Sequence, residues 1–262
     1  MYMADYVLAR KTRNITSNLV HVFLNLLLGV GAVLVTVLSG SPILGVLLVL
    51  MSKWRIFAVR ARYLWLNIKS NLVDLIVGLS VVFLAYSAGP EFVLVDFILM
   101  AFYSVWLLFI KPWSTEIGTM TQSLIAVFMG MSASALMTAN LNVIVLVLLA
   151  FLVGYSASRH ILVQSSDKDF TLTTLVCGLI FAEIAWLCYA WSIMYSFGAT
   201  GIRVPQIAII LTIFAFVYNY ARRAMIKYQD DFRLRQIVGP VIFSVVLVCI
   251  IVLWFSNPIF NI

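Results

Sequence analysis

Cut at its polar breaks, this chain falls into apolar stretches whose connecting segments alternate between basic and nearly free of positive charge. Of 17 Lys and Arg residues, 16 lie in one alternate set of connections, those around residues 10–13, 53–69, 111, 159–168 and 222–235. Only Arg203 lies in the other set. Basic residues gather on the cytoplasmic side of membrane proteins and set their orientation, so the pattern predicts a multi-pass protein with its basic connections inside.

Composition leaves little room for a soluble alternative. Hydrophobic residues make up 64% of the chain and charged residues 10%, against ~25% charged in soluble domains. A soluble chain of 262 residues can fill a core, but this one lacks the polar residues to cover it. A net charge of +7 would suggest nucleic acid in a soluble protein. Here it sits between apolar spans, so the expected partner is the anionic headgroup layer at the inner face, with no nucleic acid.

A spanning helix needs roughly 20 mostly apolar residues. Seven stretches qualify directly: 71–88, 92–110, 119–138, 141–158, 171–196, 204–221 and 237–256. The stretch 171–196 is long enough to imply tilt or an interfacial overhang. The region 17–58 is harder, because the turn signal Ser39-Gly40-Ser41-Pro42 divides it. The first arm, 17–37, is ample, while the second runs only from Ile43 to Met51 before Ser52-Lys53-Trp54-Arg55. Either 41–58 spans fully with Lys53 and Arg55 snorkelling, or it re-enters. A full span divides the basic residues sixteen to one, whereas a re-entrant segment gives at best thirteen to four. Long basic side chains reach the interface at modest cost, so the full span is preferred. The expected fold is all-α: a single transmembrane domain (1–262) of nine helices, N-terminus inside and C-terminus outside.

The first arm is expected to stay in the mature protein, since Leu19–Leu38 exceeds the ~7–15 residues of a signal-peptide core. No connection is long enough for a folded extramembrane domain. Cys177, Cys188 and Cys249 all lie inside spans and show no metal or disulfide spacing. Trp54, Trp65, Trp113, Tyr195, Tyr228 and Trp254 stand near span ends as interfacial anchors. Ile76-Val77-Gly78 and Ile237-Val238-Gly239 each open a span after a basic connection. That echo is what an internal repeat, or chance in apolar sequence, produces.

Charged groups inside spans cost ~2.5–3.5 kcal/mol on insertion scales and are functional candidates by default. Glu183 stands at the middle of 171–196 with no basic residue in its span. It is either a neutral acid hydrogen-bonded to a neighbouring helix, or a proton or ion site facing a wet cavity. Asp74 lies near the inner end of 71–88 and shares an i, i+4, i+7, i+11 stripe with Asn67, Asn71 and Gly78. It reads as a charge favoured by the helix dipole or as part of a polar face. Asp96, beside Glu91, reads as solvated or capping, and Arg203 is a candidate ion-pair partner for either acid. Arg159-His160 ends a span at the inner face, as an interfacial pair or a proton relay. Gly130, Ser134 and Thr138 form a small-residue stripe suited to close helix packing.

Several chemistries are excluded. No lysine lies mid-span for a retinal Schiff base, no H-E-x-x-H occurs, and His21 and His160 are too few for a zinc protease. Ser39-Gly40-Ser41 has no nearby base. Asp230-Asp231 reads as a solvated pair, or as a metal-and-phosphate site for a lipid-modifying enzyme. Asn14-Ile15-Thr16 fits a glycosylation pattern but falls on the inner side. No cofactor or metal signature is present.

Two stretches carry a resemblance: Ser52–Arg60 leading to Asn71–Gly78, and Ala157–His160 followed by Ala182-Glu183-Ile184-Ala185-Trp186. They resemble multi-pass membrane proteins of reduced-genome candidate-phylum bacteria, the Saccharibacteria group. The resemblance implies a bacterial cytoplasmic membrane and carries no established activity. The residues alone point to a small transporter or ion-coupled permease using Glu183, with Asp74, Arg159 and His160 lining its inner approach. The alternative is a non-catalytic membrane subunit acting through helix–helix contacts with a membrane protein partner or a second copy.

Overall fold

The computed structural model describes residues 2–139, 141–163, 170–191, 193–197, 200–228 and 234–253, with side chains described outside 2–17, 61 and 226–227. Asp230, Asp231, Lys168 and Trp254, and the side chains of Asn14 and Thr16, lie outside that description. The chain is an all-α bundle. Its helices are α1 (Tyr2–Ser39), α2 (Pro42–Ser52), α3 (Trp54–Phe57), α4 (Ala61–Ser70), α5 (Leu72–Ala88) and α6 (Val93–Val105). They continue with α7 (Glu116–Thr138), α8 (Val143–Leu162), α9 (Phe170–Tyr189), α10 (Gln206–Tyr228) and α11 (Arg235–Leu253). A π-helical turn, Trp106–Ile110, extends α6.

Among the described residues, seven helices are long and apolar enough to cross a membrane, and eight if the bent pair α4–α5 counts as one. The chain is therefore a polytopic helical membrane protein. At 11 residues, α2 is about half the length a bilayer core requires.

Local chemistry sets the breaks. Gly40, at φ 60°, supplies the left-handed turn after α1 that a Cβ disfavours. Ser41 then caps α2 by accepting from the Ile43 amide, with Pro42 in its first turn. Thr115 and Asn142 cap α7 and α8 in the same way, accepting from the Gly118 and Ile144 amides. Between α4 and α5 the axis turns by 63°. The helix α4 is amphipathic, exposes Tyr63, Trp65 and Leu66, and lays Arg62 over Tyr63 and Lys69 over Trp65. That is the pattern of a helix lying in the membrane interface.

The helices α5 and α7 pack together at the centre of the bundle. On one side α5 meets α1, α2 and α6, and on the other α7 meets α8 and α10. Close approaches fall at glycines. A Cβ on Gly130 would stand 2.8 Å from Ile76 and 3.0 Å from Val153, so this residue of α7 lies against α5 and α8 together. Ser134 and Thr138 are buried on the same helix, and the Thr138 hydroxyl donates to the Ser134 carbonyl at 2.7 Å. The echo Ile76-Val77-Gly78 and Ile237-Val238-Gly239 has unlike surroundings: Gly78 is tightly enclosed, whereas nothing stands within 4 Å of a Cβ on Gly239.

The bundle has a basic end, carrying Lys53, Lys111, Arg159 and Arg223, and an opposite end closed by a hairpin. Strand β1 (Met194–Ser196) pairs antiparallel with β2 (Arg203–Pro205), Tyr195 opposite Val204. The structure thus corrects the expected span 171–196. Its helix stops at Tyr189, and residues 194–196 satisfy their backbone through strand pairing instead. Glu183 accordingly stands six residues from the helix end rather than at its middle.

Candidate functional site

The most strongly organised group of charges lies at the basic end, around Asp74. One carboxylate oxygen, Oδ2, meets both Lys53 and Lys111, the latter at 2.7 Å. The other, Oδ1, accepts from the Trp106 indole N–H at 3.1 Å. The Lys53 side chain is 7% exposed and that of Lys111 42%. One carboxylate between two ammonium groups leaves the site with a net charge of +1. Around Lys111, partial burial lowers the amine pKa, while the Asp74 carboxylate and its hydrogen bond raise it. The balance leaves Lys111 above the ordinary lysine range.

Three interruptions of regular helix deliver these groups. Lys53 occupies the break between α2 and α3. Asp74 stands in the first turn of α5, just past the 63° bend. Trp106 and Lys111 bracket the π-helical turn, where the Lys111 amide donates to the Trp106 carbonyl at 2.8 Å. The extra residue in a π turn shifts the side chains after it around the axis, which brings Lys111 to the carboxylate that Trp106 also reaches. One turn beyond Asp74, Gly78 gives room to Tyr103: a Cβ there would stand 2.7 Å from the tyrosine hydroxyl, which is buried without a hydrogen-bond partner.

A second layer ties this site to α7 and α8. The Gln122 amide nitrogen donates to the carbonyls of Ile110, Lys111 and Trp113 at 2.6, 3.2 and 2.9 Å, gathering the chain just after the π turn. Its oxygen pairs with His160 Nε2 at 2.6 Å. The Ser123 hydroxyl donates to the Ala157 carbonyl at 3.1 Å, fixing α7 against α8 one residue further on. Asp74 and His160 are thereby joined through Lys111 and Gln122. Arg159 points away, its guanidinium 5.4 Å from the centre of the Phe170 ring.

Several expectations change. Lys53 does not snorkel; it turns inward onto the buried Asp74 carboxylate. The stripe Asn67–Asn71–Asp74–Gly78 is not one face, since the bend falls between Asn67 and Asp74. Asn67 instead donates to the Ile56 carbonyl at 3.0 Å and so holds α3 to α4. Asp96 is 5% exposed and its Oδ1 is buried without a partner, and it makes no capping bond. Arg203 is exposed, and among the described residues the ion pairs are those of Asp74, so it joins neither Glu91 nor Asp96.

Glu183 faces away from the bundle and is exposed, lining none of the cavities described here. The helix α9 packs its other side on α8, through Cys177, Gly178, Phe181 and Ala185. A cavity of about 410 Å³ opens at the hairpin end among Ala135, Thr138, Leu146, Cys188, Trp191 and Gln206. Gln206 stiffens that end by donating to the Tyr195 hydroxyl at 3.0 Å and the Ile251 carbonyl at 3.1 Å. Among the described residues no three His, Cys, Asp or Glu side chains converge as a metal site.

Fold and site together define a multi-pass helical membrane protein with a buried, lysine-held carboxylate at its basic end. Comparison with known protein families, with characterised proteins and with solved structures finds no match to the chain.

Proposed function

We propose that the chain is a small transporter or ion-coupled permease of a bacterial cytoplasmic membrane, with Asp74 rather than Glu183 as its working carboxylate. The observation that carries the reading is the convergence of three helix interruptions on one carboxylate. Discontinuous helices recur at transport sites because their ends expose backbone and charged groups that can change partners. In this reading the basic end is cytoplasmic, and the broken segment 42–57 serves as a ninth crossing with the C-terminus outside.

The chemistry follows from the ion balance. Asp74 holds two ammonium groups, so a proton or cation that reaches it competes with Lys53 and Lys111. Once the carboxylate is neutralised, α2–α3 and the π turn lose their common anchor, and the basic end is free to open. Gln122 and His160 hold the other side of the π turn, so opening is directed toward α2–α3. The hairpin-end cavity supplies the opposite vestibule.

A second reading, a non-catalytic membrane subunit, is favoured by one observation, the outward-facing Glu183. The two separate in proteoliposomes loaded with a pH-sensitive dye and challenged with a panel of ions, amino acids and sugars. The transport reading expects solute-dependent proton movement in wild type that Asp74→Asn abolishes. A wild type no different from protein-free vesicles across the panel overturns it.

A further inference from the structure

We infer that the chain forms a two-fold symmetric dimer through the exposed face of α9, with Glu183 of each copy hydrogen-bonded to its counterpart. The inference does not rest on the transport reading. Leu172, Val176, Leu179, Glu183 and Trp186 are all exposed, and they follow one another at steps of four, three, four and three. That spacing sets them along one stripe of the helix, with a carboxyl group among apolar residues. The opposite face of α9 is already occupied by α8, so the stripe is free to meet a partner helix.

Glu183 cannot easily escape to water. The helix α9 runs from the basic end toward the hairpin end, and Cα–Cβ bonds tilt toward a helix N-terminus. Glu183, six residues short of Tyr189, therefore leans away from the nearer membrane surface. The stem of a glutamate is also shorter than the lysine and arginine stems that snorkel. A carboxylic acid carries one O–H donor and one carbonyl acceptor, and in hydrocarbon both require partners. Among the described residues this chain supplies none.

A second copy supplies both. All copies of a membrane protein share one orientation, so a two-fold axis along the membrane normal sets α9 parallel to its mate. Every residue of the stripe then stands at the same depth as its own copy. Two carboxylic acid groups are self-complementary, each donating to the other. Leu179 and Trp186 flank the pair one turn to either side and close the contact to lipid.

The test is cross-linking in membranes, in full-length chain lacking Cys177, Cys188 and Cys249. Leu179→Cys and Trp186→Cys, oxidised separately, are expected to give a disulfide-linked band at twice the chain mass. Leu148→Cys, on the exposed face of α8, is expected to give none. Adding Glu183→Leu should lower the cross-linked fraction about tenfold, the scale of an interhelical hydrogen bond in a membrane, whereas Glu183→Gln, which keeps a donor and an acceptor, should retain it. Cross-linking at positions 179 and 186 no greater than at 148 would overturn the inference. So would cross-linking insensitive to Glu183→Leu, or a product of another mass.

Discussion

Replacing Asp74 with alanine separates the parts of the site by their burial. The substitution strips Lys53 and Lys111 of their shared carboxylate and leaves the Trp106 indole N–H without its acceptor. The Lys53 side chain is 7% exposed, so its ammonium remains buried with nothing to offset its desolvation. Removing one partner of such a pair costs about 3–5 kcal/mol. Lys111, 42% exposed, is already largely solvated, so Lys111→Ala is expected to cost about 1 kcal/mol or less, as exposed pairs do. The pair Lys53→Met with Asp74→Leu removes both buried charges and should recover most of the Asp74→Ala loss, because an apolar replacement of a buried pair is often neutral. The assay is unfolding in detergent micelles followed by tryptophan fluorescence, with Trp106 inside the site as reporter. An Asp74→Ala variant no less stable than Lys111→Ala would refute the burial argument, as would a double variant less stable than Asp74→Ala alone.

The other expectations concern the frame around the carboxylate. Gly78→Ala would place a methyl 2.7 Å from the Tyr103 hydroxyl and 2.9 Å from Val49, an overpacking expected to cost about 1–3 kcal/mol. Thermal midpoints should show Tyr103→Phe restoring part of that loss. Gln122→Glu keeps the shape but removes the N–H donor that serves three carbonyls. Faster amide exchange over residues 111–115 is the expected result, measured by hydrogen–deuterium exchange. Gly130→Ala, whose methyl would stand 2.8 Å from Ile76, should separate α5 from α7 and lower the thermal midpoint more than Gly239→Ala, which meets nothing.

The spans were legible because a bilayer demands long apolar windows, and helices stand at each such stretch, though 41–58 and 171–196 are interrupted or cut short. Asp74 was legible as an acid near a span end. Its partners were not, because a lysine beside an apolar run is already explained by orientation, and Lys53 lies 21 positions away in sequence. The π turn left no trace, since Trp106–Ile110 is apolar whichever hydrogen-bond ladder it adopts. Gln122 offered the one missed clue, an amide side chain in a span with nothing nearby in sequence to satisfy it. The orientation of Glu183 was hidden for a different reason. The helix α9 is not amphipathic, so its periodicity does not say which face packs on protein. Only the placement of α8 decides that.

The transport reading rests on which of two acids does the work, and one experiment sets them against each other. Asp74→Asn and Glu183→Gln are reconstituted at equal protein content, each confirmed folded by its elution profile, and solute-coupled proton flux is measured beside wild type. The buried, lysine-held carboxylate predicts flux lost in Asp74→Asn and kept in Glu183→Gln. Flux kept in Asp74→Asn and lost in Glu183→Gln would contradict it.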